Sequence, residues 1–397
     1  MNVLLLVAVI TAMIIKHSAK GSEFPGLEAD KIRIYLERLN KPAVKSINSP
    51  DGDIIDCVLM ADQPAFDHPL LKNHTIQMKP SFHPEGVNEP KAKIQLWHMN
   101  GKCSENTIPI RRTTKEDLLR ANSIENYGIK THKNIPKPQS SNGFTNHEYA
   151  IARDPNGKFF GTKATINIWN PNVQTPNEFS LAQIWLATGG YQNSDLNSIE
   201  AGWQVFNQLY GDNNARFFIY WTRDAYRSGC YNLLCSGFVQ TNNEIVIGGS
   251  FASPSSYDGS QYSVTILVWK DPGTGNWWLQ MDGKNVGYWP VSIFTNLADG
   301  ADRVDWGGEI VNLGTNGQHT TTQMGSGHFA EEGFGRAGYF KNIQVIDGSN
   351  NLRDPDPQGL VQIVSNQYCY NHKLGSVGSS WGTYFYFGGP GRNSNCP

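Results

Sequence analysis

Two glutamates stand in short segments whose alternation would hold them on a shared surface. In Ser198–Val205 (SIEAGWQV), strand geometry puts Ile199, Ala201, Trp203 and Val205 on one face and Glu200, Gly202 and Gln204 on the other. In Asp305–Ile310 (DWGGEI), Trp306, Gly308 and Ile310 share one face while Asp305, Gly307 and Glu309 share the opposite one. Each Glu therefore sits beside a Gly on its own face, where another backbone can approach closely. Paired carboxylates suit general acid–base work: one, ionised, takes a proton from water, and the other, protonated, gives one to a leaving group. Like charges held close cannot both ionise easily, so the pair divides these roles. Gln204 is a candidate amide donor to a developing oxyanion, and Asp305 is a further carboxylate on the Glu309 face.

Other chemistries lack their residues. There is no G-x-S-x-G, no HExxH, no P-loop and no GxGxxG in a βαβ setting. No CxxC or Cys/His cluster has ligand spacing, so neither metal nor cofactor is expected. The formal net charge of -2 excludes a general polyanion binder, and nucleic acid with it. Two alternatives keep the carboxylates or the aromatics: a glycoside hydrolase, and a non-enzymatic glycan-binding sandwich.

The elements that must position these residues divide the chain. Met1–Ala19 reads as a signal peptide, because Val3–Ile15 is an uncharged apolar run too short for a usual membrane span. The processed protein is then expected to be secreted, off the membrane and monomeric. Residues 20–138 hold one helical pattern, about Leu27–Leu39, and two strands around the turn Ser49-Pro50-Asp51-Gly52: a small α+β unit. Residues 121–146 have linker composition, with Pro136 and Pro138. Residues 139–397 read as all-β, with strands expected at Ala164–Trp169, Phe179–Ala187, Ile199–Phe206, Arg216–Thr222, Val246–Phe251, Tyr262–Lys270, Trp277–Met281 and Tyr384–Phe387. Short strands with regular turns indicate a sandwich or barrel.

Six cysteines fit a secretory route. Cys230 and Cys235 bracket a short loop, Cys369 and Cys396 would tie down the C-terminus, and Cys57 is left with Cys103. Asn73-His74-Thr75 is a glycosylation sequon. Charge is uneven: 19 Lys+Arg against 15 Asp+Glu up to Pro138, but 14 against 20 beyond it. A basic segment docked on an acidic body is held at neutral pH and weakened by acid.

Several blocks resemble the neprosin family. They include Gly52–Cys57 and Gln63–His74 in the first half. In the second come His147–Ala150, Ala164–Trp169, Ile199–Val205, Arg216–Thr222, Trp306–Ile310 and Thr320–Phe329. The resemblance implies a secreted glutamic prolyl endopeptidase made as a zymogen, with an antiparallel β-sandwich catalytic domain and acid-optimal cleavage after proline. It places the catalytic pair at Glu200 and Glu309; Asp305 stands where the family also has Glu. The expected substrates are proline-containing polypeptides, and the chain's own N-terminal segment is the expected intramolecular inhibitor. Self-cleavage after Pro138 would release it. Trp203, Trp289 and Trp306 are expected to wall a pocket for the proline ring.

Overall fold

A computed structural model of the chain describes residues 25–84, 95–121, 123–130, 146–155, 157–314, 316–376 and 380–397. The expected leader and the Pro136–Pro138 linker lie outside the described residues.

The first half opens with a helix, Pro25–Leu39. Proline at a helix start has its φ preset. The stripe of Ile32, Tyr35, Leu36 and Leu39 packs towards the second half. Strands Ala43–Asn48, Ile54–Leu59 and Thr107–Arg111 then form a three-stranded antiparallel sheet. The disulfide Cys57–Cys103 anchors its central strand to the Trp97 region.

The second half is two antiparallel sheets packed as a sandwich. One, six-stranded, runs Val361–Val364, His147–Asp154, Arg303–Val311, Ser180–Thr188, Asn197–Val205, Arg216–Thr222 in spatial order. The other centres on Gly338–Ile346, Gly161–Asn167, Ser263–Lys270, Trp277–Met281 and Lys284–Trp289. Alternation sets what lies between them. Ala201, Trp203 and Val205 from one sheet meet Ile166, Val268 and Trp289 from the other in a single apolar core. Cys230–Cys235 and Cys369–Cys396 close the remaining loops.

One expected strand does not form. Val246–Phe251 is not a continuous strand. Gly248, at φ +90°, breaks it, and only isolated bridges join it to Arg216 and to the first half. A single helical turn, Asn207–Tyr210, also interrupts the all-β half. The strands at Arg216–Thr222 and Trp277–Met281 have the expected bounds.

The first half meets the sandwich edge-on and through side-chain amides. Ile110 bridges to Ile247, Gln95 brackets Val246 through both its amide atoms, and Gln63 does the same to Gln240. The charge complementarity expected between the halves is concentrated rather than spread. Among the described residues, the ion pairs crossing between them are Lys130 with Glu200 and Arg216 with Asp53 and Asp51. The Arg216 pairs have the opposite polarity to the net charges.

Candidate active site

The outer face of the six-stranded sheet carries both glutamates. Glu309 lies opposite Leu181, and Glu200 lies opposite Trp185, on the two strands flanking Ser180–Thr188. They are therefore diagonal, separated by one strand and offset by four residues along it. Between them runs the row Gly307, Gln183, Gly202. A Cβ at Gly202 would come within 2.0 Å of the Ala182 carbonyl oxygen, and one at Gly307 within 2.3 Å of that of Ala150. No side chain fits beside Gln183, so the middle of the face is a trough.

Both carboxylates are wholly buried, and each has a basic side chain and a tyrosine beside it. Glu309 Oε1 contacts Nδ1 of His147 and accepts from the Tyr149 hydroxyl at 3.2 Å. Its Oε2 accepts a long 3.5 Å bond from Nε2 of Gln183. Burial alone would raise the Glu309 carboxyl; the His147 hydrogen bond and charge, the charge of Lys130 and the Tyr149 hydroxyl outweigh it and hold the group below the ordinary Glu value. Glu200 Oε2 takes the Lys130 ammonium at 2.6 Å, and its Oε1 accepts from Tyr226 at 2.8 Å and Ser198 at 2.9 Å. Tyr149 and Tyr226 titrate well above 10, through burial and the facing glutamates, so both remain hydroxyl donors.

Lys130 comes from the first half. Its ammonium sits 4.6 Å from the Tyr220 ring centroid, 5.0 Å from Tyr226 and 5.7 Å from Tyr231, an aromatic box with Glu200 at its end. The approach is fixed by the Gly128 carbonyl, which accepts from the Tyr231 backbone N–H at 2.8 Å. Gly128 has φ +78°, and a Cβ there would strike Leu234 at 2.7 Å.

Of the other expected site residues, Gln204 is on the right face, in the Glu309 row beyond Leu181. Its amide donates to the Tyr210 hydroxyl at 3.3 Å, and its Oε1 has no partner among the described residues. Asp305 ends the Glu200 row and is clamped by Nε and Nη2 of Arg153 at 2.7 and 2.9 Å. Trp203, Trp289 and Trp306 do not line this face. They are fully buried between the sheets, with the Trp203 indole donating to the Asn167 carbonyl and the Trp306 indole to Thr162. The alternation that turns the glutamates outward turns Trp203 and Trp306 inward. The aromatic walls are instead Trp185, Tyr191, Tyr220, Tyr226 and Tyr231. Asn73 is exposed.

Sequence reasoning did not single out Lys130, Tyr226 or Gln183. Alternation in SLAQIWLAT does place Gln183 on one face with Leu181 and Trp185, and that signal could have found it. Lys130 sits in linker composition and carries none.

The first segment thus places its own lysine against the polar face of the sandwich. The neprosin domain model matches residues 176–390, and the neprosin activation peptide model matches residues 46–153. The chain belongs to the neprosin family: it is a prolyl endopeptidase of that family carrying its activation peptide. Similar solved structures include two of scytalido-glutamic peptidase, one with a peptide-based transition-state analogue and one with a transition-state analogue inhibitor. Both are 12% identical, covering 60% of this chain and 97% of theirs, with TM-scores of 0.33 and 0.34. A third is the β-porphyranase BpGH16B from the human gut bacterium Bacteroides plebeius, at 11% identity, 41% and 54% coverage and TM-score 0.20.

Proposed function

We propose that this chain is the secreted zymogen of an endopeptidase that cleaves after proline in acid, with Glu309 as general base and Glu200 as general acid. The observation that carries this reading is the unequal origin of the two basic partners. His147 belongs to the sheet and stays with Glu309, whereas Lys130 belongs to the first segment and leaves Glu200 when that segment goes.

Cleavage after Pro138, the proposed maturation site, would carry Lys130 away. Glu200 is then left among Tyr220, Tyr226 and Tyr231 with no paired cation among the described residues, placed to act as the proton donor. Glu309 keeps His147 and Tyr149 and stays ionised. A water adds through oxygen to the peptide carbonyl carbon and gives a proton to Glu309. The tetrahedral intermediate collapses as Glu200 gives its proton to the nitrogen, and the C–N bond breaks, leaving one carboxyl and one amine product. No covalent enzyme intermediate forms. The space vacated by Lys130, walled by Tyr220, Tyr226 and Tyr231, would take a compact apolar ring such as proline. The cross-segment pairs of Lys130 with Glu200 and of Asp53 with Arg216 are the ionic contacts that release must break.

The test is cleavage of a fluorogenic proline peptide at about pH 3 by acid-matured Glu200→Gln and Glu309→Gln, each with unfolding checked. Loss of turnover in both, with folding intact, supports the pair; substantial turnover in either would sink it. Sequencing the matured N-terminus decides Pro138: a start at Gln139 is expected, and one inside the Gly161–Asn167 strand is incompatible.

A further inference from the structure

Gln183 occupies the centre of the trough. It is fully buried, and its strand neighbours on this face, Leu181 and Trp185, are apolar. Across the sheet both of its partners in register are glycines, Gly307 and Gly202, so no other side chain enters this row of the three strands. The amide is nonetheless almost unused. Its Oε1 has no partner among the described residues, and its Nε2 makes only the 3.5 Å contact to Glu309 Oε2, at the outer limit of a hydrogen bond. A buried amide left this poorly satisfied is costly to maintain, and such groups call for a reason. Gln204, expected from the sequence to be the donor, has its amide turned to Tyr210 at the far side of the face.

We propose that Gln183 is a third catalytic residue, whose side-chain amide donates to the scissile carbonyl oxygen and to the oxyanion that develops on it. The proposal rests on Glu200 and Glu309 being the reacting pair. A peptide laid along the trough passes over Gly307 and Gly202, where nothing obstructs its backbone, and presents a carbonyl to the one polar group between the two carboxylates. As water adds, the carbonyl oxygen gains the negative charge and the Nε2 hydrogens bind it more strongly than in the ground state. That difference lowers the barrier rather than merely tightening binding.

The experiment compares acid-matured Gln183→Met and Gln183→Glu with the wild type, with Glu200→Gln and Glu309→Gln in parallel. Methionine keeps the length and removes the donor. It should lower kcat by about 10²–10³ with KM changed less than about twofold. Glutamate restores a donor only while protonated, so Gln183→Glu should recover turnover towards low pH and lose it, as pH rises, before the wild type does. If Gln183→Met does not fold, the pH profile of Gln183→Glu decides alone. A kcat within about threefold of wild type for Gln183→Met, or a Gln183→Glu profile parallel to wild type, overturns the role of Gln183. Activity surviving in the two Glu→Gln variants overturns the underlying pair instead, so the two failures are told apart.

Discussion

Glu200 and Glu309 are alike in type, burial and sheet position, yet the two halves of the site are built differently. Glu309 is served by one sheet: His147 and Tyr149 come from the strand beside it and Gln183 from the strand on its other side. Glu200 has Ser198 on its own strand and Tyr226 just beyond the neighbouring strand Arg216–Thr222, but its cation arrives from 70 residues upstream, on the segment proposed to leave. One carboxylate is set from within the sheet and the other by a residue of the first segment. A buried ion pair is weak evidence for stability but strong evidence of cost if one partner goes. In the proposed maturation that cost falls at the step from latent to working enzyme.

The sharpest way to break the comparison is to neutralise each carboxylate in turn. Glu200→Gln and Glu309→Gln should each reduce peptide turnover by about 10²–10⁴. If only one does, the division into acid and base is wrong.

Next in size is that residue of the first segment. Lys130→Met leaves Glu200 buried and uncompensated, and should destabilise the unprocessed chain by about 3–5 kcal/mol at neutral pH, measured by denaturant unfolding. With the proposed cleavage after Pro138, the matured enzyme lacks residue 130 and should be unaffected. An equal loss of turnover in the matured variant would contradict the asymmetry.

His147→Gln should act on both forms. The Glu309 carboxyl is lowered in the folded chain, so its contribution to stability is complete above the ordinary Glu value of 4.5 and is lost as pH falls through the lower folded value. Without His147, burial dominates and the group titrates higher. The acid limb of the kcat profile should then move up by about one pH unit or more. An unmoved limb would mean that His147 orients Glu309 without tuning it.

The smallest effect belongs to Asp305→Asn. Its carboxylate is committed to Arg153 at the end of the Glu200 row, so kcat should change by less than about threefold. A larger loss would return Asp305 to the chemistry.

Much of this was legible in the sequence because alternation is a local property. Eight residues around Glu200 suffice to say which way it points, and the same holds for Glu309. What alternation cannot say is what stands opposite. Lys130 and His147 reach their partners only through tertiary folding, at separations of 70 and 162 residues. The same gap misplaced the aromatics. Trp203 and Trp306 were correctly expected on the apolar face, but the apolar face is the inter-sheet core and not a pocket wall. Gly248 explains the remaining difference, since a left-handed residue inside Val246–Phe251 ends a run that composition alone makes a strand.

That broken strand has a consequence for what remains after processing. The outermost strand of the six-stranded sheet, Arg216–Thr222, would be an open hydrogen-bonding margin if only the departing segment covered it. It is closed from within instead. The Gly248 N–H donates to the Phe217 carbonyl at 2.7 Å and the Phe217 N–H to the Gly249 carbonyl, while the Asn232 N–H donates to the Ile219 carbonyl at 2.9 Å. These irregular patches leave no straight template on which a second molecule could extend the sheet. The Arg216–Thr222 margin is therefore covered by residues of the sandwich itself, whatever becomes of the first segment.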